Sequence, residues 1–136
     1  MVYRFIADDA CGFDDEAVDG CVMAGVGEAD EDGFSLDFMC DFGEPDASDV
    51  ALGFDTHCLV TPGQGTAYGC VREVTLADGV LRVVLDPASL ADLDLDDPVV
   101  EAELRAPEED VARFREVLSR VLAFGRPEAR PVVTGL

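Results

Sequence analysis

The side chains able to do covalent or acid–base chemistry are few in kind. There is one histidine, His57, with five cysteines and 30 carboxylates, and all nine basic residues are arginine. A nucleophile–base pair is hard to assemble from these. No serine or cysteine sits in an elbow motif, and neighbours such as His57 and Cys58 point to opposite faces of a strand. The same opposition keeps those two from chelating one metal ion. Cys11, Cys21, Cys40, Cys58 and Cys70 form no CxxC pair, so they read as small apolar residues kept reduced. Gly63, Gly65 and Gly69 surround Gln64 and Tyr68 without a GxxxxGK[ST] motif or a following helix pattern, which makes them turn formers and not a phosphate cradle. The acidic run EADEDG at 28–33 lacks a calcium loop's glutamate, because the twelfth position from Glu28 is Met39. No cofactor or metal is expected. The remaining chemistry is that of carboxylates, acting as an acid–base pair in a small enzyme or as a binding surface.

Charge separates these possibilities further. The net charge is −21, and residues 1–60 hold 16 carboxylates and one arginine, a net of −15, whereas residues 61–136 hold 14 carboxylates and eight arginines, a net of −6. Such a chain repels nucleic acid and anionic membranes. Its acidity reflects either a proteome-wide bias or a surface built to meet a basic partner. No apolar run reaches the roughly 18 residues of a membrane span, and the start MVYRFIADDA lacks a signal peptide's apolar stretch. A cytoplasmic location is therefore expected.

The elements that must position these residues begin with a hairpin. Asp78-Gly79 lies between two alternating β-branched runs, and Asp-Gly supplies the positive-φ pair of a type I′ turn. That register sets Leu76 opposite Leu81 and Val74 opposite Val83, and a slip of one residue would turn the apolar set into water. Strands are expected over 2–7, 21–26, 34–40 and 99–104. The third is the clearest, with Phe34, Leu36, Phe38 and Cys40 alternating against Ser35, Asp37 and Met39. Residues 8–20 read as an exposed loop. The stretch 41–49 reads as a second acidic loop with one helical turn, and 50–60 as an apolar run bent at Gly53. Asp86-Pro87 opens a short helical turn. Over 107–124, Val111, Phe114, Leu118, Val121 and Leu122 recur at helical spacing, with acids in the first turn and Gly125 after the last.

The predicted fold is α+β: a mostly antiparallel sheet of about six or seven strands covered by one long C-terminal helix. It forms a single domain over 1–125, with 126–136 as a C-terminal tail. At this length the chain buries roughly two-thirds of its unfolded surface.

Leu52-Gly53-x-Asp55, then Gln64-x-x-x-Tyr68-Gly69, the hairpin, Leu85-Asp86-Pro87 and the closing helix together resemble the immunity protein ten family of bacterial polymorphic toxin systems. The resemblance runs from about Phe34 to Phe124, with a fainter Tyr3-Arg4-Phe5 start. It implies a small α+β inhibitor without catalysis of its own, which binds and neutralises a cognate toxin made by the same cell. An acidic surface would suit a basic, nucleic-acid-targeting toxin. The expected contact residues are Asp41, Glu44, Asp46 and Asp49 of the second acidic loop, with Asp55, Gln64 and Tyr68 of the family-like segments. The alternatives are a small enzyme using a carboxylate pair and a generic acidic protein-binding module. Oligomeric state is not legible.

Overall fold

The computed structural model describes residues 2–30, 32–43, 46–53 and 55–136, the side chain of Gln64 excepted. Its strands are β1 (Val2–Ala7), β2 (Asp9–Phe13), β3 (Val22–Gly27), β4 (Ser35–Cys40), β5 (Cys58–Thr61), β6 (Gly65–Tyr68), β7 (Val71–Ala77), β8 (Val80–Leu85), β9 (Val99–Leu104) and β10 (Val132–Thr134). The helices are α1 (Ala47–Leu52), α2 (Leu90–Leu93) and α3 (Glu108–Leu122). The fold is α+β with a long C-terminal helix, as expected. Among the described residues, however, the strands number ten and divide between two five-stranded sheets.

The first sheet has the order β1-β9-β8-β7-β10, and the second is a meander in chain order, β2-β3-β4-β5-β6. The hairpin stands at the centre of the first sheet. Asp78 and Gly79 have φ of 54° and 76°, and Leu76 pairs with Leu81 and Val74 with Val83. Both edge strands, β1 on β9 and β10 on β7, run parallel to their neighbours. The solvent face of this sheet is a charged ladder in which Glu101 takes Arg4 at 2.8 Å and Arg82 at 3.6 Å.

Three strands depart from the sequence reading. Residues 9–13 pair with β3 where a loop was expected, although Asp9, Gly12 and two small residues carry no alternation. The strand exists because α3 presses on it: a Cβ on Gly12 would lie 2.8 Å from both the Arg113 carbonyl oxygen and Val117 Cγ2. The glycine-bearing approach at 65–68 is β6, and its Gly65 admits the Leu93 carbonyl of α2, which a Cβ would meet at 2.7 Å. Residues 132–134, in what reads as a tail, form β10. The run 50–60 splits, because α1 ends at Leu52 and β5 begins only at Cys58.

Helix α3 packs on β2, β3 and β4. Its buried Phe114, Val117, Leu118, Val121 and Leu122 join Ala24, Leu36 and Phe38 of the second sheet and Leu81, Val83 and Val100 of the first in one core. Burying this face removes apolar area from water at about 25 cal/mol per Å². That contact, more than helix propensity, holds the fifteen-residue α3 in place.

Candidate functional site

The second sheet has one face on the core and one that no helix covers among the described residues. Pairing across its strands aligns Gly12, Ala24, Phe38, Leu59 and Ala67 toward α3, and the alternate residues Phe13, Met23, Met39, Cys58 and Tyr68 in a row on the opposite side. The next row on that side is Cys11, Gly25, Asp37, Val60 and Thr66. The open face thus carries aromatic, thioether and thiol groups in place of the ion pairs that solvate the first sheet. Phe13 and Tyr68 at its two edges are 44% and 45% exposed. Met23 and Met39 between them are half-buried.

One end of this sheet collects the acidic loops. Strand β2 ends, β3 begins, β4 ends and β5 begins there, so residues 14–21 and 41–57 emerge side by side. Glu28, Asp30 and Asp32, between β3 and β4, lie at the far end of β4. Between the two loops and the open face is a cleft of about 160 Å³, lined by Cys21, Met39, Asp41, Asp49, Cys58 and Tyr68 among others. Three of the seven anticipated contact residues, Asp41, Asp49 and Tyr68, therefore converge.

Three others, Asp46, Asp55 and Gln64, do not line it. Asp46 is the N-cap of α1: it accepts the Asp49 N–H at 2.8 Å, while its own N–H donates to Asp49 Oδ2 at 3.1 Å. This capping box fixes a six-residue helix that buries nothing and leaves Val50 and Leu52 exposed. Asp55 is buried, with its carboxylate 2.8 Å from Arg126 Nη2 and its carbonyl accepting the Arg126 N–H. Gly125, at φ 82°, makes this closure possible, because a Cβ there would sit 2.0 Å from the Asp55 carbonyl oxygen. Asp55 thus ties the segment after α3 to the loop before β5. Gln64 precedes β6 and Tyr68 ends it, so the two lie at opposite ends of one strand. Glu44 lies outside the described residues.

Burial shifts several titratable groups at and behind this face toward their neutral forms. Burial pushes the Cys40 thiol up to about 12, with the Arg120 charge opposing and Asp41 assisting. Cys21 and Cys58 are raised by the same desolvation. Thiols so placed carry almost no thiolate at neutral pH. Burial also raises Asp37, the half-buried carboxylate of the open face, which fills the space above Gly25. His57 precedes β5 and does not lie within a strand. It is fully buried, accepts the Val71 N–H at Nε2 over 3.1 Å, and is lowered to about 4 by desolvation and then by Arg72. Its Nδ1 meets no partner among the described residues. Among the described residues no group of three potential ligands is placed to hold a metal ion.

The arginines explain why the loop end stays acidic. Arg113 and Arg120 both reach Asp14, Arg126 takes Asp55, Arg72 takes Asp86, Arg105 takes Glu103, and Arg4 and Arg82 share Glu101. Arg115 and Arg130 donate to the carbonyls of Gly135 and Gly125. Every arginine is engaged, and among the described residues none meets Asp15, Glu16, Asp19, Asp41, Asp46 or Asp49.

Outward-facing Phe13, Met23 and Met39 are the residues that sequence reasoning passed over. The available signal was an apolar side chain at the polar position of an alternating strand, as Met39 is beside Ser35 and Asp37.

No curated protein and no solved structure matches the chain. Residues 6–112 match the family described as Immunity protein 10, a span that takes in the whole second sheet, the central hairpin and the first turns of α3. With most of its length so matched, the chain belongs to the Immunity protein 10 family.

Proposed function

We propose that this protein is the immunity component of a bacterial polymorphic toxin system. In this reading it binds a cognate toxin in the cytoplasm of the producing cell and blocks it by occupying its basic working surface. The carrying observation is the acidic end of the second sheet, where Asp15, Glu16, Asp19, Asp41, Asp46 and Asp49 flank the apolar face and no arginine pairs with them among the described residues, the three arginines at this end being taken by Asp14 and Asp55. Carboxylates without a cationic partner steer a basic surface into encounter and raise the association rate. The apolar row beside them supplies the area that holds the complex once formed. Methionines suit such a face because they adapt to a partner's shape. A toxin acting on nucleic acid fits the charge, since its site must itself attract phosphate.

Asp41, Asp46 and Asp49 are the carboxylates proposed to face the toxin, with Tyr68 beside them; Asp55 acts indirectly, by fixing the loop that carries α1. The test is co-expression with the toxin domain encoded beside this gene. Protection of the cell and recovery of a stable complex are expected. Unprotected cells expressing soluble protein, with no complex recovered, would exclude the reading.

A further inference from the structure

We propose that the cleft at the end of the open face, between Met39, Cys58 and Tyr68 on one side and Asp41 and Asp49 on the other, receives the guanidinium of an arginine carried by the partner protein. The inference rests on the immunity reading and makes it specific: one basic side chain of the toxin is anchored in one place.

The lining selects the guest. The walls are the thioether of Met39, the thiols of Cys21 and Cys58, and the ring of Tyr68, and two carboxylates reach the rim from different segments, one just after β4 and one from α1. The opening of about 160 Å³ matches the roughly 150 Å³ that accepts a benzene-sized group. An anion would be repelled by Asp41 and Asp49. A neutral apolar group would strip water from them with nothing in return. A bare metal ion lacks a ligand set, since no group of three potential ligands occurs among the described residues. A cation borne on a long apolar stem satisfies every wall: the stem lies along Met39 and Cys58, and the charge meets the carboxylates.

Arginine fits better than lysine for a geometric reason. A planar fork presents donors in two directions, so one guanidinium can serve carboxylates that belong to separate segments, and its face stacks on an aromatic ring. Asp49 uses Oδ2 for the Asp46 N–H, which leaves Oδ1 as the oxygen that takes the guest. Tyr68 ends β6 directly opposite Cys58 of β5, so the strand pairing sets where the ring stands. Anchors of this kind, an arginine desolvated between carboxylates and an aromatic, carry a disproportionate share of interface affinity.

N-acetyl-arginine amide, titrated into the isotope-labelled protein and followed by amide chemical shifts, tests the cleft without the toxin. Saturable shifts confined to residues 39–41, 49, 58 and 68 are expected, with affinity on the order of millimolar. The lysine and norleucine amides should bind at least about tenfold more weakly. Asp41→Asn with Asp49→Asn should weaken the arginine probe by about tenfold or more. The cap residue Asp46 is untouched and the amide oxygen of an asparagine at 49 can still accept its N–H, so these variants keep the fold. Tyr68→Leu is a second variant at an exposed position, expected to weaken the same probe. Equal binding of the lysine probe, shifts of equal size at residues 28–33, or no saturation would overturn the assignment. A toxin complex that forms while the arginine probe leaves these amides unmoved overturns the cleft and leaves the immunity reading standing.

Discussion

Lowering the pH should destabilise the fold through His57. The imidazole is completely buried, its Nε2 accepts the Val71 N–H that starts β7, and its value falls from 6.5 to about 4, first through burial and then through Arg72. Above pH 6.5 the ring is neutral in both the folded and unfolded chain and contributes no pH dependence. Between 6.5 and about 4 the unfolded chain takes up a proton that the folded one refuses, so stability falls across that window and levels off below it. A shift of this size corresponds to about 3 kcal/mol at full development. Protonation would also remove the lone pair that Val71 uses. Other groups titrate in the same range, and relief of carboxylate repulsion acts in the opposite sense, so absolute stability is a poor readout. Urea unfolding of the wild type and of His57→Gln, from about pH 7.5 down to about pH 4.5, isolates the term because every other titration is shared. The wild type should lose about 2 to 3 kcal/mol more than the variant over that span. Parallel stability curves would refute the reasoning, whatever the variant costs at neutral pH.

Three further outcomes follow from the fold. Gly79→Val should cost roughly 1 to 3 kcal/mol in chemical unfolding while Asp78→Asn costs little, because both positions have positive φ and only the second variant tolerates it; equal losses would remove the type I′ turn. Gly12→Val should cost about 1 to 3 kcal/mol, because its side chain would strike the Arg113 carbonyl and Val117 and lift α3 from β2, and an unchanged unfolding midpoint would contradict that packing. All five cysteines are free, so melting with and without reductant should agree to within the few degrees that correspond to about 1 kcal/mol.

Sequence made some of these elements legible and hid others, for physical reasons. The central hairpin, β4 and α3 carry their signals locally: a turn dipeptide, a strict alternation, and a helical apolar period ending at a glycine. Strands β2, β6 and β10 do not, because each has three to five residues and is held by pairing and by close approach at Gly12 and Gly65. The division into two sheets was also hidden. Alternation says that one side of a strand is buried but not which strand lies next to it, and the parallel pairing of β1 with β9 joins segments far apart in sequence, Val2 lying opposite Val99. At the site, the acidity of 41–49 was evident, and Asp41 and Asp49 do reach the cleft beside Tyr68. Asp55 was equally acidic on paper, but its carboxylate is engaged by Arg126, and Asp46 caps α1 beside the cleft without lining it. Nothing short of the fold could have placed them so.

The association rate with the proposed cognate toxin domain tests the central claim most directly. It is measured at about 50 mM and about 300 mM salt, where exposed charges are screened to very different degrees, for the wild type and for two variants. One variant neutralises Asp41, Asp46 and Asp49 to asparagine, and the other neutralises Glu28, Asp30 and Asp32 at the opposite end of β4. The account predicts that the first slows association about tenfold or more at low salt, that the second changes it little, and that high salt erases the difference. Equal effects from the two ends, or rates indifferent to salt, would contradict it.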